Sequence, residues 1–243
     1  MEPPAATAAR GRRLFLVLAI AVGAVCVRLG FWQLDRLAER RARNAAIHAQ
    51  LERPPLRLPE DLDLATDLAY RRATARGVFD PAGEIYLTSR SREGIAGVHV
   101  VTPLILADGG PALLVDRGWL ADTVYRAGSS DGWAWPGAVE VEGTLLPSQS
   151  EPSLAFFADR LPGPGDLPLK NWRALYIPGI GSQLAYPVLD VYLAQDSPPP
   201  EASMPQPEPE LDLSDGPHLG YAIQWFSFAA IAIGGAIVWA RRR

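Results

Sequence analysis

The chain has 243 residues, 48% hydrophobic and 21% charged, and its formal net charge of −4 is sorted along the sequence rather than mixed. Residues 1–53 carry +5, residues 54–217 carry −12 and residues 218–243 carry +3, so most of the chain would repel phosphate and nucleic-acid binding is excluded as its main task. One cysteine, Cys26, rules out an intramolecular disulfide and covalent c-type haem attachment, while His48, His99 and His218 are too scattered to suggest a zinc cluster.

In chain order, the first element is apolar. Residues 14–34 read LFLVLAIAVGAVCVRLGFWQL, interrupted only by Arg28 and Gln33. At 1.5 Å per residue such a run is about 30 Å long, enough to cross a bilayer core. A secretory signal peptide is the competing reading, since Arg10, Arg12 and Arg13 form a basic leader. The residues after Ala24, Val25-Cys26-Val27, do not resemble a cleavage site, which favours an uncleaved anchor. The helix is expected to continue through Ala49.

The next stretch reads as strands. Candidates are Tyr70–Phe79, Glu84–Arg90, Gly97–Leu106, Ala112–Trp119, Ala138–Leu146 and Val188–Ala194. Val139 and Val141 alternate with Glu140 and Glu142, the period of a half-buried strand. Leu113-Leu114-Val115 is apolar on both faces and implies a central strand, and Asp108-Gly109-Gly110-Pro111 reads as a hairpin turn. A short helix is expected over Ile180–Leu184. Residues 195–217 contain seven prolines and six acids without a base or an aromatic residue, the composition of an extended linker.

The last element, from Leu219 to Ala240, is 22 residues without a formal charge and reads as a second span. Arginines before the first span and after the second place both termini in the cytoplasm by the positive-inside tendency. The expected architecture is a membrane protein with two transmembrane α-helices bracketing a mainly β (α+β) extracytoplasmic domain. Its parts are 1–13 cytoplasmic, 14–34 the first span, 35–194 the β-rich domain, 195–217 the linker, 218–240 the second span and 241–243 cytoplasmic.

Catalytic patterns are missing from the sequence. There is no G-x-S-x-G, no P-loop and no G-x-G-x-x-G. His48 reads as a solvated residue and His99 as a strand residue facing water or bonded locally. His218 differs, because it follows Asp215-Gly216-Pro217 at the mouth of the second span, with Tyr221 and Trp225 at helical spacing on its face. A neutral imidazole there is a metal ligand, and flat aromatic walls would suit a porphyrin. An interfacial aromatic belt accounts for the same residues.

Four blocks resemble the Surf1/Shy1 family of cytochrome c oxidase assembly proteins. They are Leu29-Gly30-Phe31-Trp32-Gln33-Leu34-Asp35-Arg36, then Val101-Thr102-Pro103-Leu104 with Leu114-Val115-Asp116-Arg117-Gly118-Trp119, then Val141-Glu142-Gly143-Thr144-Leu145, and finally His218 through Phe226. The Asn171-Trp172 block departs from the family by lacking a following Asp. The resemblance implies an assembly role rather than catalysis, in the cell membrane. The partners would be oxidase subunit I and the haem a synthesis machinery, with haem a held non-covalently and transiently. His218 would be its axial ligand, Tyr221 and Trp225 would pack the ring, Trp32 and Gln33 would close the pocket, and Arg117, at a strand end, would pair with a propionate. A hydrogen bond between Gln33 and Gln224 is expected to join the spans. The alternative is a membrane-anchored scaffold for oxidase assembly that binds no haem.

Overall fold

A computed structural model describes residues 5–63, 65, 67–107, 109–128, 133, 135–150, 159, 161–163, 166–197, 204–208 and 211–241. The elements begin with α1 (Ala5–Leu51), β1 (Leu56–Leu58), β2 (Arg72–Phe79) and β3 (Ile85–Arg92). They continue with β4 (Ile95–Leu106), β5 (Ala112–Ala121), α2 (Asp122–Arg126) and β6 (Ala138–Pro147). Last come β7 (Asn171–Trp172), α3 (Ile177–Gly181), β8 (Val188–Gln195) and α4 (His218–Arg241). They form two units: a helical one, Met1–Ile47 with Asp212–Arg243, and a sheet one, His48–Leu211.

In the helical unit, α1 and α4 pack antiparallel, with Phe15 against Trp239 at one end and Gln33 against His218 at the other. Both are long and apolar enough to cross a membrane. The seam follows small residues. Gly23, Cys26, Gly30, Gln33 and Leu37 are the buried positions of α1 in this stretch, and Ala222, Ala229 and Ala236 repeat every seventh residue of α4. That seven-residue period keeps one stripe on the partner helix, and small side chains let the backbones approach. A Cβ added at Gly30 would stand 2.6 Å from the Phe226 ring.

All six expected strands are present, with ends displaced by one or two residues. β2, β6, β8, β5 and β4 pair in that order, and β2 pairs again with β4, closing a five-stranded ring. β3 and β7 extend the sheet beyond β4, and β1 lies beside β2. Closure makes the pattern of β5 intelligible. Leu113 and Val115 join a cluster fed by all five ring strands, while Leu114 points the other way, into a second cluster with Ile85, Leu87, Trp172 and Ile180. Each such side chain contributes roughly 1.5–3 kcal/mol on burial, so a strand apolar on both faces belongs between two cores. β6 buries Val141 and Leu145 and exposes Glu140 and Glu142, as its alternation predicts.

The short elements differ from expectation. Pro178 sits in the first turn of α3, so that helix starts at Ile177, and Leu184 closes a turn onto Gly181 instead of ending the helix. The Asn171-Trp172 block is an edge strand whose tryptophan is 1% exposed, a packing role. Asp108 of the expected hairpin turn lies outside the described residues, although β4 and β5 do form an antiparallel pair. In the expected linker, residues 198–203 and 209–210 lie outside the described residues. Residues 204–208 lie on the sheet: Trp119 and Gln206 exchange both backbone hydrogen bonds, at 2.7 and 2.8 Å. His99 does not face water. Its two ring nitrogens meet Asp116 and Glu208, each at 3.0 Å.

Candidate functional site

His218 is the first residue of α4. Gly216 takes a left-handed conformation (φ +69°), and the carbonyl of Pro217 accepts the Tyr221 N–H at 3.1 Å, so the turn delivers His218 at the helix mouth. Gln33, on the buried stripe of α1, accepts from His218 Nδ1 through Oε1 at 2.9 Å. This replaces the expected Gln33–Gln224 bond. Gln224 lies on the exposed side of α4, about 160° around the helix from the buried Ala222 and away from α1. An imidazole that donates from Nδ1 presents its Nε2 lone pair outward, the arrangement in which metal-binding histidines are oriented by an outer partner.

His218 also lines a cavity of about 310 Å³ with Arg36, Glu39, Arg40 and Arg43. These arginines were not among the expected site residues, yet Gln33, Arg36, Arg40 and Arg43 follow the three- and four-residue spacing of one helix face. Arg36 bonds Glu39 at 2.6 Å, and Arg40 bonds the Ser214 carbonyl at 2.6 Å and Asp212 at 3.2 Å. Arg43 has no acidic partner among the described residues. The cavity is therefore cationic, with room for an acidic group.

The chain entering α4 is tied to α1 over several residues. Arg41 places Nε and Nη2 on one oxygen of Asp215, at 2.9 and 2.7 Å, and Asn44 donates to the Leu213 carbonyl at 2.7 Å. The hydrogen bonds from Arg41 hold the Asp215 carboxyl below the usual carboxylate range. Hydrogen bonds from Ser214 do the same for Asp212.

The other expected site residues fall into two groups. Trp32 and Tyr221 are on the helical unit and about half exposed, and Trp225 is half-buried, edge-on to Phe228. Arg117 belongs to the sheet unit, where it is not at a strand end. It lies within β5 and is 2% exposed, and its Nη1 stands 3.7 Å from Glu84 Oε2. Its charge is thus met inside the sheet unit, which removes the reason for assigning it a propionate. Gly118 is required beside it: φ is +110°, and the Gln206 backbone carbonyl occupies the space a Cβ would need.

Two long apolar helices bracketing a small closed sheet in sequence, with an oriented imidazole at a helix mouth, define a two-helix protein with a closed β domain. The chain belongs to the SURF1 family, whose model matches residues 20–230. It is 28% identical to a SURF1-like protein of Monosiga brevicollis over 94% of this chain and 88% of that one. An uncharacterized SURF1-like protein of Mycobacterium tuberculosis is 32% identical over 83% of this chain and 72% of its own length. The cytochrome oxidase assembly protein SHY1 of Saccharomyces cerevisiae is 31% identical over 46% of this chain, a match that spans 29% of the yeast protein.

Proposed function

We propose that this chain is a membrane-anchored assembly factor for cytochrome oxidase. In this reading α1 and α4 span the cell membrane with both termini cytoplasmic, and the sheet unit is extracytoplasmic. The cargo is haem a, received from the machinery that makes it and passed to oxidase subunit I. The carrying observation is the Gln33–His218 hydrogen bond, which leaves His218 Nε2 directed away from its helix partner beside a cationic cavity.

The residues present fit such a cargo. Haem supplies an iron with an open axial position and two carboxylates. His218 would hold the iron, Arg36, Arg40 and Arg43 would meet the carboxylates, and the exposed faces of Trp32 and Tyr221, with Trp225, would cover the ring. Gln33 would keep the imidazole in one tautomer throughout.

A haem-free scaffold is the second reading, and one observation favours it. Close packing of Gly30 on Phe226 leaves no slot for a macrocycle between the helices at that level, so a ring could lie only against the outer face. The test is to purify the protein from haem a-producing cells and record its absorption spectrum beside His218→Ala. A Soret band lost in the variant supports the carrier reading. A wild type without haem, but co-purifying with subunit I, supports the scaffold.

A further inference from the structure

The sheet unit holds a recess that the reading above does not use. Val100 faces Gly118 and Val101 faces Asp116, so Arg117 is the extra residue of a β-bulge. A bulge takes one side chain out of the strand's alternation, and here it leaves Arg117 buried against the rings of Trp135 and Phe79, 4.1 and 5.0 Å from their centroids, which touch each other edge-on. Arg117 lines a cavity of about 390 Å³ walled by Phe79, Tyr86, Trp133 and Trp135. Small-molecule sites have volumes of roughly this size.

Hydrogen bonding in the recess is uneven. Glu84 is saturated: Tyr86 and Trp133 donate to Oε1 at 2.8 and 3.3 Å, and Thr102 donates to Oε2 at 2.8 Å. Arg117 Nε and Trp135 Nε1, both buried, have no acceptor among the described residues. Orphaned buried donors are rare in native proteins, and both of these belong to residues that line the cavity. Burial lowers the Arg117 pKa to about 10, with Glu84 opposing, a guanidinium still charged at neutral pH.

Charge then selects the kind of acceptor. Glu84 already neutralises Arg117, so a carboxylate or phosphate brought here would be a buried, uncompensated anion. A neutral carbonyl oxygen offers two lone pairs without that cost, and an attached flat ring would stack on the walls. We infer that this cavity is a binding site for a small neutral aromatic carbonyl compound, whose oxygen accepts from Trp135 Nε1 and Arg117 Nε. The site is independent of whether His218 holds haem.

The test uses the full chain in detergent micelles, ¹⁵N-labelled, titrated separately with acetophenone, ethylbenzene and benzoate. Acetophenone should move the Trp135 and Trp133 indole resonances saturably while Trp172, in another cluster, stays fixed. It should bind about tenfold more tightly than either other probe. Trp135→Phe keeps a wall and removes the donor, and should weaken acetophenone about five- to tenfold, the size of one hydrogen bond, read at Trp133. The inference fails if no probe gives a saturable shift, which would leave a water-filled hole. It fails equally if ethylbenzene or benzoate binds as well as acetophenone, or if Trp135→Phe binds it unchanged.

Discussion

At 2.9 Å from Gln33 Oε1, His218 Nδ1 is committed as a donor, and the consequence is measurable at one residue. Gln33→Leu keeps the helix seam apolar but frees the ring to turn. Losing such an outer partner typically weakens metal binding by 10–100-fold, so if His218 holds haem as proposed, its retention by Gln33→Leu should fall about tenfold, read as Soret absorbance after dilution and washing. Glu84 offers a second test. Glu84→Gln leaves Arg117 charged without its counter-ion, a change that costs about 3 kcal/mol in a buried pair, and the denaturant midpoint of the sheet unit should fall accordingly. Of these residues, His218 was legible because a Gly-Pro turn, a helix start and two aromatic residues converge on it. Gln33 was visible as a polar group in an apolar run, but its partner was not, since seven-residue pairing between helices is a property of the seam and not of either sequence. Arg117 was misplaced for a similar reason: a bulge adds one residue to a strand without altering its composition.

Among the elements, the seam of α1 and α4 depends on what is missing from Gly30. Gly30→Val would drive a branched side chain into the Phe226 ring, where a Cβ alone already stands at 2.6 Å. Overpacking of this kind costs about 1–3 kcal/mol. Helix separation should show as increased distance between spin labels at Ala24 and Ile231, two exposed positions on the pair. The 204–208 segment is a second such element. It is held by the Trp119–Gln206 backbone pair and by Glu208 on His99, so His99→Ala should raise amide exchange at Gln206 while leaving Leu113–Val115 protected. The proline-rich composition suggests an extended linker, and an extended chain with open N–H groups is suited to add onto an exposed strand. The long strands were readable from period-two alternation and apolar runs. β1 and β7, at three and two residues, are too short to carry a period, and they exist because neighbouring strands supply their partners.

Across the whole molecule, the charge sorting in the sequence has a structural counterpart in the helical unit. The basic stretch after the apolar part of α1 is answered by Asp212 and Asp215 on the chain entering α4. Because Asp215 titrates below the usual carboxylate range when folded, its contribution to stability is complete above that range and is lost as pH falls through its own depressed value. Carboxyl ¹³C titration should find the Asp215 pKa depressed in wild type and returned toward normal in Arg41→Gln.

Cys26, the only thiol in the chain, is 6% exposed and sits in the seam between Gly23 and Gly30. That placement makes the protein its own reporter. A membrane-permeant maleimide can reach this sulfur only when the two helices part, so labelling rate measures how often the hairpin opens. If the proposed hand-over to subunit I takes place and requires the pair to separate, the rate should rise when subunit I is added, with no engineered probe at all.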